Sequence, residues 1–418
     1  MTIQQLQQAV DSVGVAKAVV FLKREHVAES SSATSINLQL AADGRMKRIL
    51  PALNSDAIGA LEQHFVAPQD GSARSMVHFP YLEAVHGVVD QKGLERLANH
   101  DAIHSLHHSP AISLIQPVAT EAADAPPAGP AWGISRLKAP EIWKRGYTGR
   151  NIVVAHLDSG VDSTHAALLN ALDKYAAFDA NGHSVPPPTP YADLDNHGTH
   201  TAATLAGRHV ADAPIVGMAP DAELIDATIV GGTDTVSRAL AGMDWALGQG
   251  ARVMSLSVGF NGYDASFLEV IDRLRELHLL PVVAIGNGGP NSSCSPGNYA
   301  SVLSVGAIDD SDYVAQMSSS PDSKGPAVGP TVCAPGFRIL SAKPGGGYRL
   351  SSGTSMATPH IAGLAALLFS AKPGASIDEV QRAIVSSCSN PMKQGAERIG
   401  AGIPDGIAAL EVLLDGTG

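Results

Sequence analysis

Cysteine is scarce in this chain. Only Cys294, Cys333 and Cys388 occur among 418 residues. An odd number cannot pair completely, and no two lie close in sequence. A disulfide framework and a zinc cluster are therefore excluded as organising features. Mostly buried free thiols are expected, the usual state of unpaired cysteine. A Cys294–Cys388 bridge in an oxidising compartment stays open.

Basic charge is also in short supply. Lys and Arg number 28 against 40 Asp and Glu, a formal net charge of -12. Nucleic-acid affinity rests on cations that neutralise phosphates, so no nucleic-acid partner is expected. No stretch approaches the ~20 apolar residues of a membrane helix, so no membrane partner is expected either. The start, MTIQQLQQAVDSVGVAKAVV, lacks a basic leader, and its short apolar run carries Lys17. No secretory signal is recognised there. A cytoplasmic location is expected, with export by another route left open.

What is abundant is Gly (42) and Pro (27), in a chain with only 16% charged residues. That suits a loop-rich α/β enzyme better than a coiled coil or a disordered protein. At ~100–200 residues per domain, the length suggests two domains. A break falls near Val118 to Pro130, where VATEAADAPPAGP is rich in Ala and Pro and lacks periodicity. Residues 1–117 are taken as one unit, 118–131 as a linker and 132–418 as the second unit.

The first unit alternates short elements. Strands are expected at Ala18 to Leu22, twice within Val77 to Val89, and at Ile103 to Leu114. Helices are expected at Ser55 to His64 and Gln91 to Ala98. This β-α-β-β-α-β order points to a small ferredoxin-like α+β domain. The second unit carries short uninterrupted apolar runs: Ile152 to Ala155, Leu224 to Val230, Val253 to Val258, Pro281 to Ile285 and Val302 to Ala307. Such runs suit parallel strands covered on both faces. Helical patterns lie between several of them, so a doubly wound, mostly parallel α/β sheet is expected.

Three motifs carry chemistry. VVAHLDSGVD places Asp158 after a buried strand and before a Gly turn. NHGTHTAATLAG places His197 at the opening of a helix. SSGTSMATPHIAGLAALL places Ser355 at the start of a long apolar helix. A serine hydroxyl is a weak nucleophile until a base takes its proton. Histidine suits that task near neutrality. A carboxylate on its other nitrogen fixes the tautomer and stabilises the imidazolium. The Ser355 N–H, at a helix N-terminus, is available to a developing oxyanion. VVAIGNGGP places Asn287 after another buried strand, where its amide could supply the second donor.

The order Asp, His, Ser and the segments DSG, HGTH and SGTSMATPH resemble those of the subtilase family. The resemblance extends to VMSLSVG, IVGMAPDAELIDATIV, SPGNYASVLSVGA and CAPGFRILSA, and spans roughly Trp132 to the C-terminus. It implies a serine endopeptidase acting through an acyl-enzyme, with a peptide or protein as substrate. It further implies that Ser255, Leu256 and Ser257 form one wall of the specificity pocket. Ala284, Ile285 and Gly286 form the opposite wall, and Gly232 binds the other edge of the peptide. Many subtilases carry Gly where this chain has Ser257, which leaves the pocket's width open. The first unit resembles a subtilase propeptide, which implies a zymogen inhibited by its own N-terminal domain. Its self-cleavage site would lie between Ser113 and Pro130. No cofactor is required for the chemistry. Structural calcium occurs in the family, but no acidic loop here names its ligands.

Each residue also has a plainer role open to it. Asp158 or Ser355 alone could be a helix cap, and Asn287 a turn residue. His200 and Thr354 compete locally with His197 and Ser355. His156, His165 and His360 are expected to be structural, Asp195 a loop charge and Met356 a packing residue. A catalytically silent or permanently inhibited binding protein of the same fold is the alternative. An esterase using G-x-S-x-G is excluded, because there the acid follows the serine.

Overall fold

The computed structural model describes residues 2–23, 37–41, 45–49, 55–66, 76–123, 127–231, 234–322 and 325–416. Its centre is an eight-stranded sheet. The order is Ser184–Val185, Leu172–Phe178, Glu223–Thr228, Val153–Asp158, Val253–Leu256, Leu280–Ala284, Leu303–Ile308 and Val332–Pro335. Every pairing is parallel except that of the short first strand. The apolar runs form the central strands because both faces are covered: all six residues of Val153–Asp158 are buried.

One face packs on helices Gly198–Ala206 and Thr354–Ala371. The other packs on Thr235–Gly248 and Leu268–Glu276. This is the doubly wound arrangement that the alternating pattern predicts. The connection leaving Val153–Asp158 runs to one side of the sheet and that leaving its neighbour Val253–Leu256 runs to the other. The carboxyl end of Val153–Asp158 is therefore a topological switch point, where such sheets bind ligands. Gly198–Ala206 and Thr354–Ala371 cross closely because their facing residues are small. A Cβ on Gly363 would lie 3.1 Å from the Leu205 carbonyl oxygen. Leu364, in the middle of the long helix, is fully buried. Leu364→Ala, measured with Ser355→Ala to suppress autolysis, is expected to cost about 2–5 kcal/mol of stability. A fall in the thermal midpoint would report it.

The first unit holds a four-stranded antiparallel sheet, ordered Met76–Phe79, Ala84–Asp90, Val15–Leu22, Ile103–His108. Helices Thr2–Val13 and Gln91–Ala98 cover one face around Leu6, Val20, Leu94, Leu97 and Leu106. The opposite face, with Val19, Phe21 and Phe79, joins the core against Thr235–Gly248 and Leu268–Glu276. Thr2–Val13 and the hairpin Asn37–Leu40/Met46–Ile49 are additions to the sequence reading. From that hairpin Arg48 donates to the carbonyls of Leu247, Ala251 and Leu277 at 2.8, 2.7 and 2.7 Å. It thereby satisfies carbonyls at the ends of two helices of the larger unit, Leu247 and Leu277, and one just beyond the first, Ala251. Asp244 accepts the Tyr81 and Leu82 N–H groups at 2.8 and 3.0 Å.

Ile103 to Leu114 is not one strand. It ends at His108, and pairing resumes at Ser113–Leu114 on a different partner. Pro110 lacks the N–H that a continuous ladder needs. Beyond it, Ala119–Ala122 pairs with Tyr348–Ser352, and Gly129–Pro130 with Pro214–Ile215. The Ala/Pro-rich stretch therefore contributes short strands to the larger unit. Among the described residues, no helix is long and apolar enough to cross a membrane.

Candidate active site

Asp158 ends its strand at the switch point, and His197 caps helix Gly198–Ala206. His197 Nδ1 lies 2.8 and 3.0 Å from the two Asp158 oxygens. The Ser159 N–H donates to Asp158 Oδ1 at 2.7 Å. Burial pushes the Asp158 carboxyl upward. His197, His156 and the Ser159 N–H outweigh that and hold it below its ordinary value. Gly198 lets the helix start approach: a Cβ there would lie 2.0 Å from the Gly160 carbonyl oxygen. Ser159 and Asp193 brace the same helix end. Ser159 Oγ accepts the Gly198 N–H at 3.0 Å, and Asp193 accepts the Thr199 N–H at 2.7 Å. Neither bracing residue stands out in the sequence, although a Ser or Asp near a helix start is the usual signature.

Ser355 is the second residue of helix Thr354–Ala371, after Gly353 at the N-cap. Its hydroxyl donates to the Ile115 carbonyl at 2.6 Å. His197 Nε2, fully buried, has no hydrogen-bond partner among the described residues. Serine and histidine are therefore not joined by a hydrogen bond in this arrangement. Asn287 Oδ1 accepts the Thr354 N–H at 2.8 Å and the Thr354 hydroxyl at 3.0 Å. These two donors fix the amide's orientation and aim Nδ2 at the Gln116 carbonyl, 2.8 Å away.

The chain itself thus runs through the cleft. Ser113–Leu114 pairs antiparallel with Val258 and Gly259, and the Ile115 N–H donates to the Ser257 carbonyl at 2.9 Å. The Val118 N–H donates to the Ser352 carbonyl at 2.9 Å. A cavity of about 810 Å³ adjoins this segment, lined in part by Gln116, Asn287, Cys294 and Ser319. Ser255 and Leu256 lie on strand Val253–Leu256, with Ser257, which accepts from Ile115, following. Ala284 ends strand Leu280–Ala284, and Ile285 and Gly286 follow, all three buried. Gly286 has φ +117°, which favours glycine. Gly232 lies outside the described residues.

The other histidines are occupied elsewhere. His200 contacts the Ile339 carbonyl at 3.0 Å, and burial followed by Arg349 lowers its pKa to about 3. His360 contacts the Met356 carbonyl at 2.8 Å, and burial lowers its pKa to about 4. His165 contacts the Gly347 carbonyl at 2.9 Å. Asp195 accepts from Gln116 Nε2 at 3.2 Å, and Met356 is buried. The three cysteines are free. Among the described residues, no group of three or more His, Cys, Asp or Glu is placed to hold a metal.

A family model described as Peptidase_S8, Subtilase family, matches residues 149–402. Subtilisin E of Bacillus subtilis is 31% identical over 336 residues, covering 78% of this chain and 79% of that protein. The M-protease of Shouchella clausii is 32% identical over 349 residues, covering 82% and 86%. An alkaline protease of Alkalihalobacillus alcalophilus is 31% identical over 366 residues, covering 86% and 91%. With the doubly wound sheet and the Asp158–His197 contact at its switch point, these matches place the chain in the subtilase family, as a serine endopeptidase.

Proposed function

We propose that Ser355 is the nucleophile, His197 its general base and Asp158 the carboxylate that orients the imidazole. Asn287 Nδ2 and the Ser355 N–H stabilise the oxyanion. Ser255, Leu256 and Ser257, facing Ala284, Ile285 and Gly286, hold an extended peptide, with Gly232 on its other edge. Residues 1–117 act as a ferredoxin-like propeptide domain, 118–131 as the connecting segment and 132–418 as the catalytic domain. The uncleaved chain is a self-inhibited zymogen, and the bond presented for self-cleavage is Gln116–Pro117.

One observation carries this reading: Asn287 Nδ2 donates to the Gln116 carbonyl at 2.8 Å, beside the Ser355 hydroxyl. A carbonyl bound by an oxyanion donor is the one polarised for attack. The Ser355 proton, however, is directed at Ile115 instead of at His197. Release of Ile115 would let the hydroxyl turn to the free Nε2. The leaving nitrogen is that of Pro117, a ring nitrogen whose orientation is fixed. His197 must protonate that nitrogen, a step worth ~10²–10⁴-fold when well aligned. Self-cleavage is therefore slow, and Pro117→Ala speeds it by roughly tenfold.

Intact mass and N-terminal sequencing of freshly purified protein test the assignment. The expected product begins at residue 117, forms slowly in wild type and faster in Pro117→Ala. A product beginning elsewhere between Ser113 and Pro130 overturns the bond but not the zymogen. Full activity in a chain of unchanged mass overturns the zymogen.

A further inference from the structure

A second histidine–carboxylate pair lies behind Asp158. Strand side chains alternate, so His156 sits on the same face as Asp158, one step earlier. Asp226 on strand Glu223–Thr228 is its register partner. Thr201 follows His197 by one helical turn. His156 Nδ1 lies 2.5 Å from Asp226 Oδ1, and Nε2 lies 2.8 Å from Thr201 Oγ1. Nε2 is also 3.8 Å from Asp158 Oδ2. His156 and Asp226 are 1% and 0% exposed.

The hydrogen-bond pattern accommodates a doubly protonated ring. Thr201 has one hydroxyl proton, and the His197 and Gly198 carbonyls both lie 3.2 Å from its oxygen. Given to the helix, that proton leaves the oxygen free to accept from a protonated Nε2. Tyr191 donates to Asp226 Oδ2 at 2.6 Å and also contacts Thr228. Burial raises the Asp226 carboxyl above its ordinary value, and the His156 and Tyr191 hydrogen bonds oppose that by favouring the carboxylate. Nδ1 then donates to Oδ1, and the ring carries both protons. Burial disfavours that charge, but Asp226, and beyond it Asp158 and Asp193, hold His156 above its ordinary value. Among the described residues, the charged or titratable groups around it are these three carboxylates, with Tyr191 on Asp226 and His197 on Asp158. Ser255, its register partner on the other neighbouring strand, is uncharged.

We propose that His156 is a positioning residue, a buried imidazolium anchored by Asp226 and Tyr191. It keeps Asp158 ionised and sets the lowest pH at which the Asp158–His197 couple works as a base. The proposal rests on that couple being the catalytic one. A cation beside Asp158 opposes the arrival of a second positive charge on His197. Removing it makes the couple easier to protonate, so the base is lost at higher pH.

His156→Gln keeps a hydrogen-bonding group and removes the charge. In protein expressed as the full chain, kcat/KM for a peptide substrate is measured against pH. The acid limb is expected to move up by about one pH unit. Activity below the limb then falls about tenfold, with a much smaller loss on the alkaline plateau. A uniform loss with an unmoved limb would show a packing role only and overturn the proposal. A second measurement needs neither activity nor the His156→Gln variant. In the full-length Ser355→Ala protein with ¹⁵N-labelled histidine, both His156 ring nitrogens are expected to be protonated at about pH 7, where a free imidazole is mostly neutral. An unprotonated ring nitrogen there sinks the idea. An inactive wild type with a doubly protonated His156 would instead count against the catalytic assignment.

Discussion

Ser355→Ala is expected to lower kcat about 10⁶-fold and to leave the chain at full length. The scale is that of subtilisin, where loss of the serine or the histidine alone costs about 10⁶-fold. The substitution is conservative for the fold. Ser355 is fully buried at the start of a helix, and alanine is a good helix former. One hydrogen bond to the N-terminal segment disappears, that from Oγ to the Ile115 carbonyl. Such a bond contributes about 1 kcal/mol net. The Ile115–Ser257, Val118–Ser352 and Asn287–Gln116 bonds remain. The segment therefore stays seated and intact. Casein cleavage, labelling by a fluorophosphonate and intact mass, compared with wild type, decide the matter. A variant that still sheds its N-terminal unit, or keeps more than about one per cent of wild-type kcat, would remove Ser355 from the nucleophile's role; removing a true nucleophile costs far more.

How much of this was legible in the sequence varies with distance along the chain. The doubly wound sheet was legible because its strands are buried on both faces and so appear as unbroken apolar runs. The neighbourhoods of Asp158, His197 and Ser355 were legible because the tight turns and close helix crossings there require small residues within a few positions. Gly198 is an example: it faces the Gly160 carbonyl, and any side chain there would collide. What was not legible depends on partners far away. Arg48 reads as an ordinary surface cation until three carbonyls some 200 residues later converge on it. His156 reads as structural because Asp226 and Tyr191 lie on other elements. The segment through the cleft follows a proline and lacks long periodicity. Its strand character comes entirely from the edges it pairs with.

Asn287→Ala is expected to lower kcat by ~10²–10³-fold while KM changes little, a loss of ~2.7–4 kcal/mol in the transition state. That magnitude comes from the corresponding substitution in subtilisin. The Asn287 amide is held at its oxygen end by the N–H and hydroxyl of Thr354. Its nitrogen end is thus positioned before any substrate arrives, with no reorganisation left for the reaction itself. A neutral carbonyl gains modestly from such a donor. The negative oxygen of a tetrahedral intermediate gains much more. Binding unequal in this way appears in kcat and not in KM. Asn287→Asp sharpens the test: it keeps the acceptor for Thr354, removes the donor and places a carboxylate beside the developing charge. It should lose at least as much as alanine at neutral pH. A rise in KM with kcat intact, in either variant, would make Asn287 a ground-state contact and leave the oxyanion to the Ser355 N–H alone.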